Sequence, residues 1–278
     1  MKIAISAEST IDLPQNLLDQ FGITTTPFSI TFGDKLEKDR LGISKDIFSF
    51  VEKTKKLPKT SAVSPEQFKE YFEELKKDHD AIIHISLSSL MSSAYNNAVL
   101  VAKEMENVYV IDSRTLSTGI ALQAIKAKEL ANAGKTPTEI VETINAITAK
   151  TQASFVLEKL NYLYKGGRCS ALALLGANIL RIKPQIVVSN GKMGVGKKYT
   201  GEINKVAIKY CKDLLVAHPE PVLDYVFITS STDMPEAENA IIEILKERGF
   251  DHIYPTRAGG TISSHCGENC IGVLFLDK

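Results

Sequence analysis

AIIHISLSSLMSSAYNNAVLVAKEM, residues 81–105, decides the fold. Its opening run, AIIHI, has the length and apolarity of a buried strand. Its close, SAYNNAVLVAKEM, reads as a helix. Between them lies a loop rich in hydroxyls, with Ser86, Ser88, Ser89, Ser92 and Ser93. Strand, short loop and helix form the repeating unit of an α/β protein, and the same unit recurs on either side. KIAISA (2–7) is a strand, and LPQNLLDQFG (13–22) is a helix ending at a glycine suited to close it. ITTTPFSITFG is rich in β-formers. SPEQFKEYFEELKK has Ser64 as N-cap, Pro65 at the first helical position and Gln67 to complete a capping box. VYVID (108–112) is a strand, and STGIALQAIKAKELANAG is a helix closed by Gly134. Thr136 and Glu139 bracket a second capping box. Three β–loop–α units in a row predict a mainly parallel, covered sheet over residues 1–150. Ligands of such sheets sit beyond the carboxyl ends of the strands, where the serine loop lies.

Residues 151–278 read as a second, α+β domain. ASFVLEKLNYLYKGGR combines a strand, a short helix and a glycine turn, and ALALLGANIL (171–180) reads as a buried helix. PQIVVSNGKMGVGKKY is a hairpin with Asn190-Gly191 at a type I′ turn. A helix over 202–216, the strand DYVFITSS, a helix over 235–248 and the strand IGVLFLD follow.

The chain has 278 residues, enough for two domains each with its own core. Lys plus Arg and Asp plus Glu both number 33, so the formal net charge is zero. A balanced chain offers no electrostatic reason to bind nucleic acid or an anionic membrane. No window approaches the length of an apolar transmembrane helix, and four cysteines in a chain this long read as reduced thiols. These features predict a cytoplasmic protein without an integral membrane segment.

Four stretches concentrate small hydroxyls and glycine: KTSAVSP (59–65), SLSSLMSSA (86–94), DSRTLSTG (112–119) and AGGTISSHCGEN (258–269). Helix N-termini supply N–H donors and partial positive charge, and hydroxyls add neutral donors. Together they suit a carboxylate or phosphate without an excess of Lys or Arg. Capping accounts for any one serine, but a helix needs only one such hydroxyl. KGGRCS (165–170) sets Arg168 behind two glycines, either as an oxyanion fork or as a solvated helix end. His265, in a glycine-flanked polar loop, is a candidate to donate a hydrogen bond to an anion or to shuttle a proton. A hydrolase or acyl transferase using a serine with His265 is the alternative reading, though no G-x-S-x-G elbow is present. Gly191 to Lys197 imitates a P-loop, but Lys198 stands where Ser or Thr should hold magnesium. His265, Cys266 and Cys270 make a weak zinc signal, with no second ligand cluster. The chain is expected to need no metal and no cofactor.

Taken in order, AESTIDLP, KTSAVSPEQF, SLSSLMSSAYNNA, VIDSRTLSTG, LNYLYKGGRCS, ILRIKPQI and GGTISSHCGENCIGVLF resemble the DegV family of bacterial fatty-acid-binding proteins along nearly the whole chain. That resemblance implies two α/β domains with a lipid tunnel. It implies a non-catalytic protein that holds a long-chain fatty acid and presents its carboxyl group to a separate ATP-dependent kinase subunit, which makes an acyl phosphate for phospholipid synthesis. Carried over residue by residue, the family's Thr-Ser pair is Thr60 and Ser61, its serine is Ser92, its arginine is Arg168 and its loop histidine is His265. Thr60, Ser61, Ser92 and His265 are expected at the carboxyl group and Arg168 nearer the surface. Phe28, Ile30 and residues 171–180 are expected along the acyl chain. Departures from the family pattern fall at Glu8, for Asp; at Ser93, for Gly; at Ala94, for Thr; and at Glu268. Those at Ser93, Ala94 and Glu268 are expected around the head group.

Overall fold

A computed structural model of the chain describes residues 1–169 and 182–278. The predicted helix 171–180, and with it that part of the expected tunnel lining, lies outside the described residues. In the first half the elements run β1 (Ile3–Glu8), α1 (Gln15–Phe21), β2 (Ile23–Thr26), β3 (Ser29–Phe32), β4 (Lys35–Lys38), α2 (Ser44–Thr54), β5 (Lys59–Ser61) and α3 (Pro65–Lys76). There follow β6 (Ala81–Ser86), α4 (Ala94–Ala102), β7 (Val108–Asp112), α5 (Thr118–Asn132) and α6 (Pro137–Ile147). The second half holds β8 (Thr151–Val156), α7 (Asn161–Gly166), β9 (Lys183–Ser189), β10 (Lys192–Tyr199), α8 (Ile203–Ala217) and β11 (Pro221–Ser230). It ends with α9 (Pro235–Arg248), β12 (His252–Arg257), α10 (Gly260–Cys266) and β13 (Ile271–Asp277).

Sheet β2-β1-β6-β7 is parallel throughout. Its inner strands β1 and β6 are buried at every residue, as a sheet covered on both faces requires. Both predicted capping boxes form, at Ser64/Gln67 on α3 and Thr136/Glu139 on α6. Sheet β10-β9-β8-β13-β11-β12 is mixed and is drawn wholly from the second half. Its first hairpin turns at Asn190 and Gly191, both at positive φ (50° and 81°), the backbone a type I′ turn demands. The P-loop imitation is therefore the tip and second strand of a hairpin, with no helix for a phosphate to meet.

α5 joins the two sheets. Its residues from Thr118 to Ile125 are all buried, so it is apolar on every side instead of on one stripe. One hydrophobic core runs continuously around it, taking Ile5 and Ile83 from the first sheet and Phe155 and Leu274 from the second.

Two features depart from the sequence reading. KTSAVSP is not simply a loop: β5 pairs with β3, and β3 pairs with β4, in a small antiparallel sheet. Nor does His265 stand in a loop. It lies on the last turn of α10, a seven-residue helix.

Candidate functional site

In the parallel sheet, β1 has β2 on one side and β6 on the other, so the crossovers diverge between β1 and β6. A crevice at such a switch point, beyond the carboxyl ends, is where α/β sheets hold ligands. A cavity of about 300 Å³ opens there. Its walls are apolar at Phe28, Leu87, Met91, Leu116, Met193 and Ile262. Its polar groups come from Thr60 and Ser61 on β5, Ser92 and Ser93 before α4, Arg168 after α7, and Thr261 and His265 on α10. All six residues singled out in the sequence thus border one space. Leu116, Ile262 and Cys266 also line a small inner cavity of about 20 Å³, which lies against the second sheet at Phe155, Gly272 and Leu274.

Four of the five serines of the opening stretch make a bond of their own. Ser86 Oγ donates to the buried Glu8 carboxylate at 2.5 Å. Glu8 also accepts from the Leu87 amide and contacts His84, so the strand ends are locked before the loop begins. Ser88 donates to the Gly191 carbonyl at 2.7 Å and ties the loop to the β9–β10 turn. Ser89 donates to Asp112 at 2.6 Å. Ser92 Oγ accepts the Ala94 amide at 3.2 Å and so caps α4, and Ser93 makes no capping bond. Only Ser92 and Ser93 of the five line the cavity.

Thr60 Oγ1 and His265 Nε2 share a hydrogen bond of 3.0 Å. The other ring nitrogen, Nδ1, is buried with no partner among the described residues. It lies against Gly166: a Cβ built there would overlap Nδ1 and stand 3.2 Å from Cε1. Gly167 then turns the chain at φ 70° to close α7. The two glycines of KGGR thus differ in purpose, one giving room to the imidazole and the other ending the helix. Burial, aided by the Arg168 charge, pulls the His265 pKa down to about 4, so the ring is neutral at pH 7. Arg168 is exposed at the cavity mouth, and its guanidinium donates to the Gly166 carbonyl at 2.8 Å.

Two residues that the sequence reading passed over hold α10 in place. Asp39 accepts the amides of Gly260 (2.6 Å) and Thr261 (3.1 Å), and Asp12 accepts that of Gly259 (2.7 Å). Ser9 and Ser117 brace the same two carboxylates. Burial raises the pKa of both acids. The N-terminus of α10 is therefore satisfied from within, and the polar side chains this helix brings to the cavity are Thr261 and His265. No local pattern signals this, because Asp39 and Gly260 are 221 residues apart.

Three expectations are corrected. Ile30 does not line the cavity; it packs with Ile43 and Ile47 beneath β3 and α2. Glu268 is turned away into an ion pair with Lys159 at 3.0 Å, and Ala94 is buried within α4, so Ser93 is the one departure of those three that borders the cavity. Among the described residues no cluster of three or more metal-ligating side chains occurs, and no helix is long and apolar enough to cross a membrane.

The model of an uncharacterised protein family, DegV, matches residues 2–278. The chain belongs to the DegV family. A fatty acid-binding protein of Thermotoga maritima is 30% identical over 209 residues, 73% of each chain. The crystal structure of DegV, a fatty acid binding protein from Bacillus subtilis, superposes with a TM-score of 0.87 at 25% identity, covering 100% of both chains. The fatty acid kinase B3 protein of Streptococcus pneumoniae, loaded with linoleic acid, shares the fold with a TM-score of 0.84 at 22% identity, covering 100% of both chains.

Proposed function

We propose that this DegV protein binds a long-chain fatty acid and presents its carboxyl group to a separate ATP-dependent kinase subunit. The observation that carries the reading is the meeting of Thr60, Ser61, Ser92 and His265 in the wall of one mainly apolar cavity. With the proton on Nε2, His265 donates to Thr60, whose hydroxyl then donates to the carboxylate. This tautomer leaves Nδ1 a bare acceptor, the cheaper kind of buried orphan. Ser92 and Ser61 supply further neutral donors. A carboxylate left without partners would cost several kcal/mol to bury. A ring of hydroxyls offsets this without a fixed buried cation that would hold the head group against the kinase. Arg168, exposed at the mouth, is placed to meet the phosphate of the product or the kinase.

The acyl chain runs past Leu116, Ile262 and Cys266 toward the inner cavity. Each methylene taken from water is worth about 0.8 kcal/mol. Flexible Met91 and Met193 in the wall suit a chain of variable shape. No cofactor enters this reading, and the setting is the cytoplasm, where such a kinase finds its nucleotide.

The hydroxyl–imidazole pair invites comparison with a hydrolase. A catalytic base needs a partner to orient its second nitrogen and a pKa near the working pH. Nδ1 of His265 has no such partner among the described residues, and its pKa is far below neutrality. The protein is read as non-catalytic by itself.

Mass spectrometry of an organic extract, followed by titration with oleate, tests the reading. A near-stoichiometric fatty acid, with affinity reduced in both Ser92→Ala and His265→Ala, is expected. Absence of lipid together with no binding on addition would sink the proposal.

A further inference from the structure

A second, larger cavity of about 550 Å³ lies beyond the carboxyl end of β7, on the far side of the serine loop. Its lining is mainly polar: Tyr95, Asp112, Arg114, Asn145, Ser189 and Asn190 are prominent. Hydrocarbon has no place in such a space. The side chains of Arg114, Tyr95, Asn145, Ser189 and Asn190 make no hydrogen bond or ion pair among the described residues. One full cation and several neutral donors and acceptors thus border the space with their bonding capacity turned to solvent, Arg114, Asn145, Ser189 and Asn190 being exposed. Arg114 holds a left-handed backbone (φ 53°), fixed by its amide donating to Asp112 at 3.0 Å. Asp112 also borders the space as a carboxylate, with its oxygens turned to the serine loop, where they accept the amide and hydroxyl of Ser89.

We propose that this cavity binds a phosphomonoester of a small polyol. A single guanidinium offers paired donors to one phosphate. The amides and hydroxyls around it match the hydroxyls of a polyol, and the space exceeds what inorganic phosphate would fill. The site is independent of the fatty acid reading, since none of its residues lines the acyl cavity.

The test is calorimetry on the full chain with four probes: glycerol phosphate, a hexose phosphate, the unphosphorylated hexose and inorganic phosphate. Saturable binding of at least one ester is expected, at least tenfold tighter than either the free hexose or inorganic phosphate. Arg114→Gln should weaken it tenfold or more, and Asn145→Ala severalfold, with oleate affinity unchanged in both. Arg114 is exposed, so its replacement leaves the fold intact, and a circular dichroism melt checks this. No binding of either ester at 10 mM, equal binding of inorganic phosphate, or full affinity in Arg114→Gln would each overturn the proposal.

Discussion

Gly166→Ala probes the site through a single methyl group. Gly166 is the last residue of α7 and has no positive φ, so alanine suits its backbone. By helix propensity alone the change would stabilise by about 0.5–1 kcal/mol. The new Cβ, however, would overlap His265 Nδ1, and the imidazole must move. Overpacking of this kind costs about 1–3 kcal/mol. Once displaced, the ring loses its 3.0 Å bond to Thr60 and no longer supports the carboxylate donor. One such bond is worth about 1 kcal/mol, more when it serves a charge, so fatty acid affinity should fall roughly five- to thirtyfold. The assay is fluorescence displacement of a bound fatty acid probe in a double-mutant cycle with His265→Ala. With the ring removed, the methyl group has nothing to strike, and Gly166→Ala should cost little further affinity. An equal loss in both backgrounds, or no loss in the first, would refute the link between Gly166 and the imidazole.

Acid should act through the same ring. His265 is held at about 4 against an ordinary 6.5, so its contribution to stability is fully present above pH 6.5 and is lost as pH falls toward 4. Asp12 and Asp39, raised by burial, act in the opposite direction, favouring the fold as they protonate. Denaturation midpoints from pH 7 to 4 should therefore fall more steeply in the wild type than in His265→Asn; parallel curves would contradict this. Asp39→Ala strips two buried amides of their acceptor and should destabilise by about 1–3 kcal/mol per amide in urea unfolding, with Asp39→Asn milder because it keeps one acceptor oxygen. Ser93→Gly should leave stability within about 0.5 kcal/mol, since Ser93 is exposed and makes no cap, yet shift the ranking of fatty acids in competition binding. An unchanged ranking would show that Ser93 does not shape the pocket.

The parallel sheet was readable because its strands are apolar runs and its helices carry local punctuation: a capping box at Ser64, another at Thr136, and the chain reversal at Gly134. Of the six cavity residues, the excess of hydroxyls over what capping requires marked the stretches that hold Thr60, Ser61, Ser92, Ser93 and His265, and the glycine pair marked Arg168. The family resemblance singled out the individual residues. α10 was not readable, because Gly260, Thr261, Ser263 and Ser264 are poor helix formers. Its helical state is imposed by Asp12 and Asp39 from distant parts of the chain. β12 was also missed; it is a sheet edge interrupted by Pro255, which hides the strand pattern and blunts the edge. Ile30 was placed in the tunnel because apolar character cannot tell a cavity wall from the small core of Ile43 and Ile47.

The clamp on α10 bears on how this molecule can be cut and rejoined. Asp12 and Asp39 belong to the first half, and the helix they hold belongs to the second. A fragment ending at residue 150 would keep two acids without their amides; its counterpart would keep a glycine-rich segment with nothing to make it coil. Neither piece should house a ligand alone. Mixed, each supplies what the other lacks, so recovery of lipid binding from co-expressed fragments would serve as a complementation reporter whose signal requires both pieces to close on the same helix.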